Sequence, residues 1–235
     1  MSDARVAELS ANLDAVRRRI AAACTAAGRP ADEVRLVAVS KTWPASDVLA
    51  LRSLGVTDFG ESYDQEAKAK AASLAAMGLS PRWHFVGRLQ RNKCASIAGY
   101  ADVVHAVDRT EVVDALSGGA VRAGRVVDVL VQVSLDGDPE RGGVRPDALP
   151  EVADAVAGAQ GLALRGVMAV PPRDVSPEAA FLALAEVSQR LQSAHPLASI
   201  VSAGMTVDLE SAIAAGSTCV RVGTAVFGRR DQVLH

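Results

Sequence analysis

The stretch Val34-Arg35-Leu36-Val37-Ala38-Val39-Ser40-Lys41-Thr42-Trp43-Pro44 decides how this chain folds and where its chemistry sits. The run from Val34 to Val39 is mostly apolar, rich in valine and followed by Pro44, which reads as a buried strand of a parallel sheet. Ligands of such sheets sit outside the carboxyl ends of the strands, so Lys41 is expected to be aimed at a site and away from solvent. There an ammonium loses hydration, its pKa falls, and the neutral amine can attack a carbonyl to form a Schiff base. The plainer reading is a strand-end lysine whose stem lies along the surface and whose charge stays in water.

Outward from this strand, similar runs recur at Val56 to Phe59, Trp83 to Val86, Val103 to Val107, Val126 to Val133, Leu162 to Val170, Ser199 to Ser202 and Thr218 to Val222. Helical patterns fill the gaps at Ser46 to Leu54, Tyr63 to Met77, Gln90 to Ala98, Thr110 to Ala123, Pro146 to Ala159, Pro177 to Ala194 and Val207 to Ala215, and another, Val6 to Ala27, precedes the first strand. Eight strands alternating with helices, with no Pro/Ser-rich linker, predict one α/β domain over residues 1–235. Its expected fold is a single (β/α)8 TIM-type barrel with an extra N-terminal helix. Asp108 with Glu111 and Ser62 with Gln65 fit capping boxes, and Thr206 is placed to cap the helix near Val207. The loop Asp136-Gly137-Asp138-Pro139-Glu140-Arg141-Gly142-Gly143 follows the fifth strand on the face where barrels carry function.

Composition narrows the partners. The 235 residues are 49% hydrophobic but only 3% aromatic, so Ala, Val and Leu must fill the core. A net charge of −2, with charges mixed along the chain, gives no footprint for nucleic acid or anionic lipid and favours a small-molecule ligand. No apolar segment approaches membrane-spanning length and the first twenty residues lack a signal-peptide core, so a soluble cytoplasmic protein is expected. Cys24, Cys94 and Cys219 form no C-x-x-C pair, and His84, His105, His195 and His235 fit no metal-ligand spacing.

A second informative segment is Val201-Ser202-Ala203-Gly204-Met205-Thr206 together with Val220-Arg221-Val222-Gly223-Thr224-Ala225, the loops after strands seven and eight. Barrels commonly hold a phosphate here, with glycine N–H groups, hydroxyls and a helix N-terminus. Gly204 and Gly223 allow close approach, and Ser202, Thr206 and Thr224 supply donors; ordinary caps and turns are the plainer alternative. No P-loop and no G-x-G-x-x-G is present. Lys41, a phosphate cradle and Arg221 together point to a phosphorylated carbonyl ligand.

Five stretches then carry a resemblance: Ala38-Val39-Ser40-Lys41-Thr42, Phe59-Gly60-Glu61-Ser62-Tyr63-Asp64-Gln65-Glu66, Trp83 to Lys93, Arg165-Gly166-Val167-Met168-Ala169-Val170-Pro171, and Gly216 to Gly228. In this order they resemble the pyridoxal phosphate homeostasis protein family, itself similar to the isolated barrel domain of alanine racemase, from the first strand to Arg229. The resemblance implies a Schiff base between Lys41 and pyridoxal 5′-phosphate. It also implies that Ser202, Gly204, Met205, Gly223 and Thr224 surround the phosphate and that Arg221 faces the pyridine nitrogen. Ser62, where the family usually has Asn, and Met168 complete the expected cofactor residues, against plainer readings as a helix cap and as barrel packing. Ala203 and Thr206 also depart from the family's Ser-Met-Gly-Met-Ser, and Arg88 and Arg91 replace smaller or less charged residues.

A guanidinium only donates, so a nitrogen facing Arg221 must accept, and a pyridine without its own proton is a poor electron sink. The expectation is therefore a monomeric, non-catalytic carrier that binds the cofactor and hands it to pyridoxal-phosphate-dependent apoenzymes, with racemase-like activity weak at most. One rival is an amino-acid racemase, which needs a second domain carrying a catalytic Tyr that a chain ending at His235 is expected to lack. Another is a barrel aldolase or isomerase that uses Lys41 as a Schiff-base lysine on a sugar phosphate.

Overall fold

A computed structural model describes residues 2–138 and 141–229. The elements run α1 (Asp3–Ala26), β1 (Arg35–Val39), α2 (Ala45–Ser53), β2 (Asp58–Glu61), α3 (Asp64–Ala75), β3 (Arg82–Phe85), α4 (Cys94–Ala98), β4 (Val103–Val107) and α5 (Thr110–Ala123). They continue with β5 (Val127–Gln132), α6 (Leu149–Gly158), β6 (Leu162–Met168), α7 (Pro177–Ala194), β7 (Ile200–Ser202), α8 (Leu209–Ala214), β8 (Cys219–Val222) and α9 (Thr224–Phe227). The eight strands close into a barrel in sequence order, every neighbour parallel, with β8 returning to β1 through Val37 opposite Arg221. The (β/α)8 expectation holds.

Most of the apolar core lies between sheet and helices. Along α1, Leu9, Leu13, Val16 and Ile20 recur at helical spacing and form one buried stripe. This stripe joins Val48, Leu51, Phe59, Leu209, Ile213 and Phe227 in a cluster on the β1 and β8 side. Val, Leu and Ala from β4 to β7 and from α5 to α7 make a second cluster on the opposite side. Inside the barrel the composition changes, because Arg35, Asp58, Arg82, His84, His105, Asp128, Ser202 and Arg221 bond to one another there. Polar side chains therefore share the filling that Ala, Val and Leu were expected to supply alone.

That polar interior explains the boundary correction in the second strand. The second strand was expected from the apolar run Val56 to Phe59, but it runs from Asp58 to Glu61, pairing Asp58 with Arg82 and Gly60 with His84. Its inward residues are a carboxylate and a glycine, and apolar periodicity cannot see either. In β6 the register slips between Leu164 and Gly166, and the backbone comes so close to β7 that a Cβ on Gly166, at φ +150°, would lie 1.9 Å from the Ile200 carbonyl oxygen. Only glycine fits there.

The three expected helix caps are corrected. At α5 the cap position is Arg109, while the Asp108 carboxylate is held by Arg109 Nη1 and by the Gly143 N–H at 3.4 Å. At α3 the cap position is Tyr63, because Ser62 is pressed against Gly87, where a Cβ would lie 2.3 Å from the Ser62 carbonyl oxygen. At α8 it is Asp208, and the Thr206 hydroxyl instead accepts from the Ala225 N–H at 3.4 Å. Among the described residues no helix is long and apolar enough to cross a membrane, and no cluster of His, Cys, Asp or Glu could hold a metal. Pro139 and Glu140 of the loop after β5, and His235, lie outside the described residues.

Candidate functional site

Strand alternation builds the site. The contact between His105 on β4 and Ser202 on β7, strands that are not neighbours, crosses the barrel interior and fixes which positions face inward. Counting by twos along the chain brings Lys41, Ser62, Met168, Gly204 and Gly223 to the inward-facing set at the carboxyl ends of β1, β2, β6, β7 and β8. Five of the nine expected cofactor residues thus gather at one mouth, with Ser202 and Arg221 one layer below.

Lys41 is exposed and joins no ion pair among the described residues, which corrects the expectation that its amine is withdrawn from water. Its flanks are the ordered part. The Ser40 carbonyl accepts from Lys70 Nζ at 2.7 Å, and the Ser40 hydroxyl donates to Glu61 Oε1 at 2.6 Å. On the other side the Thr42 N–H donates to Glu66 Oε1 at 2.5 Å. Thr42 has φ +68°, the only positive φ outside glycine among the described residues and a costly one for a β-branched side chain. Trp43 stacks on Phe227, with centroids 5.7 Å apart, and lies under the Arg5 guanidinium at 4.6 Å.

The anchor is Lys70 on α3, buried with its ammonium 2.7 Å from both Glu61 Oε1 and Glu66 Oε1. Burial pushes the Glu61 carboxyl above its ordinary pKa against the pull of Lys70 and Ser40, and its Oε2 has no hydrogen-bond partner. Lys70 and Glu61 were missed by sequence reading. The available signal was the i, i+4 pair Glu66 and Lys70, which ordinarily marks a solvated helix face.

Arg221 is 6% exposed, donates from Nη1 to the Ser202 hydroxyl at 2.5 Å and from Nη2 to the Ala169 carbonyl at 2.9 Å, and makes no ion pair among the described residues. Burial lowers its pKa, yet a guanidinium keeps its proton throughout the physiological range. Ser202 is fully buried, its hydroxyl shared between Arg221 and His105, which corrects the expectation that this hydroxyl donates to a phosphate. Met168 is also buried, at 2% exposure.

Two glycines shape the rest of the mouth. Gly204, at φ +92°, lies on α8, where a Cβ would come 2.7 Å from Ala212 Cβ, and Gly223 lies against β1, where a Cβ would sit 3.4 Å from the Val39 carbonyl oxygen. The Met205 N–H is held by Asp208 Oδ1 at 2.6 Å, so the loop after β7 is tied to the start of α8, while the exposed Thr224 opens α9. Across the mouth, the loop after β5 is fixed by Arg141, which bonds to Asp136 Oδ2, the Val170 carbonyl and the Pro171 carbonyl. The donor set suits a phosphorylated aromatic aldehyde. It comprises one accessible primary amine, one buried cation whose side-chain partners are neutral, and glycine backbone with a hydroxyl at the rim.

Comparisons with known proteins agree with this fold. Residues 11–231 match the family model of the alanine racemase N-terminal domain. The pyridoxal phosphate homeostasis protein of Mycobacterium tuberculosis is 45% identical over 243 residues, covering 96% of this chain and 94% of that protein. Its namesake in Escherichia coli is 38% identical, covering 95% and 97%. The solved structure of PipY from Synechococcus elongatus with PLP bound superposes with a TM-score of 0.79 at 30% identity, over 94% of this chain and all of that one.

Proposed function

The chain belongs to the pyridoxal phosphate homeostasis protein family, and from that premise we propose that it binds pyridoxal 5′-phosphate covalently through Lys41 and hands it on to apoenzymes, as a monomer in the cytoplasm. The observation that carries this reading is an exposed lysine on an anchored backbone, at the same mouth of the barrel as a buried guanidinium that makes no ion pair among the described residues. When bound, the cofactor supplies an aldehyde that condenses with a primary amine and releases water.

The protein's own residues divide the remaining work. Lys41 provides the amine, and the Lys70–Glu66–Ser40 anchor holds its Cα in place. Arg221 would donate toward the ring nitrogen and so leave that nitrogen without a proton of its own, with Ser202 acting through Arg221. Gly204, Met205, Gly223 and Thr224 would hold the phosphate end, and Ser62 and Met168 would lie beside the ring.

Reduction with borohydride followed by peptide mapping tests the reading. The purified protein should show a visible absorbance band that borohydride removes, with the pyridoxyl label on Lys41. A label on Lys93 or Lys68 would sink the assignment, and absence of any label would sink the function.

A further inference from the structure

A file of hydrogen bonds runs through the barrel from its N-terminal mouth to the guanidinium under the rim. Arg35 Nη1 donates to Asp58 Oδ1 at 2.8 Å, and the same oxygen is 2.8 Å from His84 Nε2. His84 Nδ1 is 2.8 Å from His105 Nε2, His105 Nδ1 is 3.0 Å from Ser202 Oγ, and Arg221 Nη1 reaches Ser202 Oγ at 2.5 Å. Asp58, His84, His105, Ser202 and Arg221 are all buried.

Proton counting gives it a direction. Arg221 only donates, so Ser202 accepts from it and has its single hydroxyl proton left to give. At the far end Asp58 is a carboxylate, since bonds from His84, Thr57 and Arg35 outweigh burial and hold its pKa well below the ordinary range. His84 must then donate from Nε2. Burial pulls both histidines toward the neutral form, against Asp58 for His84 and with the help of His84, Arg221 and Arg82 for His105. A neutral His84 accepts at Nδ1, so His105 carries its proton on Nε2 and accepts the Ser202 hydroxyl at Nδ1. Every donor points the same way, from Arg221 to Asp58, and such one-way chains polarise one another. The other titratable groups facing the file are Arg82, with Asp128 bonded to it, and at the Arg221 end Cys219 and Asp208.

We propose that Asp58, His84 and His105 are positioning residues of the cofactor site, a polarised relay that fixes Ser202 as an acceptor and so holds the Arg221 guanidinium in its orientation toward the ring. The proposal rests on the pyridoxal 5′-phosphate reading of that site, and two measurements keep the two apart.

The chain has four histidines, His84, His105, His195 and His235, so long-range proton–nitrogen correlation spectra of the histidine-labelled protein without cofactor are readily assigned. His84 and His105 should both appear as neutral Nε2–H tautomers that do not titrate between about pH 6 and 8. An Nδ1–H tautomer at either ring, or a titration near the ordinary histidine value, would overturn the relay.

The second measurement compares His105→Gln, whose amide can still donate to His84 and accept from Ser202, with the apolar His105→Leu, each shown to be folded by circular dichroism. His105→Leu should weaken pyridoxal 5′-phosphate binding roughly tenfold and shift its visible band, while His105→Gln should stay within about threefold of the parent. Equal affinity and an unchanged band in all three proteins would reduce His105 to core filling and overturn the proposal. Failure of the parent protein to bind pyridoxal 5′-phosphate would instead overturn the cofactor reading and remove the relay's target, with the tautomers deciding its direction separately.

Discussion

Lys41 combines an exposed side chain with a backbone that has little freedom, and the two properties have different causes. The side chain is exposed because the strand ends two residues earlier; the backbone is fixed by Lys70 on Ser40 and Glu66 on Thr42. Lys41→Ala should therefore remove the visible cofactor band entirely, while thermal unfolding of the cofactor-free protein shifts by no more than about 0.5 kcal/mol, as for other exposed substitutions. A large loss of stability would mean that Lys41 carries structure as well as chemistry. Its place at the carboxyl end of β1 was legible in the sequence, because an apolar run followed by a proline marks where a strand stops. The strain at Thr42 was not, since no local pattern announces a positive φ in a β-branched residue; it follows from the hydrogen bond that Glu66 makes from another helix.

At the scale of elements, α3 and the end of β2 act as the clamp for β1. Lys70→Met would leave Glu61 buried beside no cation, and losing one partner of a buried pair costs about 3 kcal/mol or more. Urea denaturation at neutral pH should show that loss. The loss should shrink as the pH falls, because burial already raises the Glu61 pKa and protonation removes the unpaired charge. Adding Glu61→Gln should recover much of the stability at neutral pH, and a double variant no more stable than Lys70→Met would show that packing, and not charge, dominates. The eight strands were readable from valine-rich runs, and the helices from their spacing. β2 was misplaced because its inward side chains are Asp58 and none at all, and the caps of α3, α5 and α8 failed because Ser62, Asp108 and Thr206 are engaged with neighbouring loops. Tertiary contacts won over local capping there.

The whole barrel encloses two neutral histidines, and that makes its stability depend on pH. Both folded-state pKa values lie below the ordinary histidine value, so between the folded and unfolded values the unfolded chain binds more protons. Stability is then complete above about pH 6.5 and falls as the pH drops below it, by about 1.4 kcal/mol per pH unit for each histidine. Chemical denaturation across that window should show a slope that His105→Gln reduces by roughly one proton; an unchanged slope would assign the dependence to other groups.

The same interior bears on what the molecule does with its ligand. Arg221 can only donate and keeps its proton throughout the physiological range, so a ring nitrogen set against it, as proposed, would stay unprotonated and withdraw electrons poorly. If Gly204, Gly223 and Thr224 hold the phosphate as proposed, pyridoxal without phosphate should bind far more weakly, and equal affinity would refute the cradle. A site that held the cofactor at both ends while drawing little electron density from the reacting carbon would suit keeping an aldehyde more than using it. Racemisation of alanine or serine by the loaded protein should accordingly be negligible in chiral product analysis, while a competing apoenzyme slowly gains activity from the same preparation. Several turnovers a minute on any free amino acid would show that the interior relay does not control the ring, and would move the protein from carrier to catalyst.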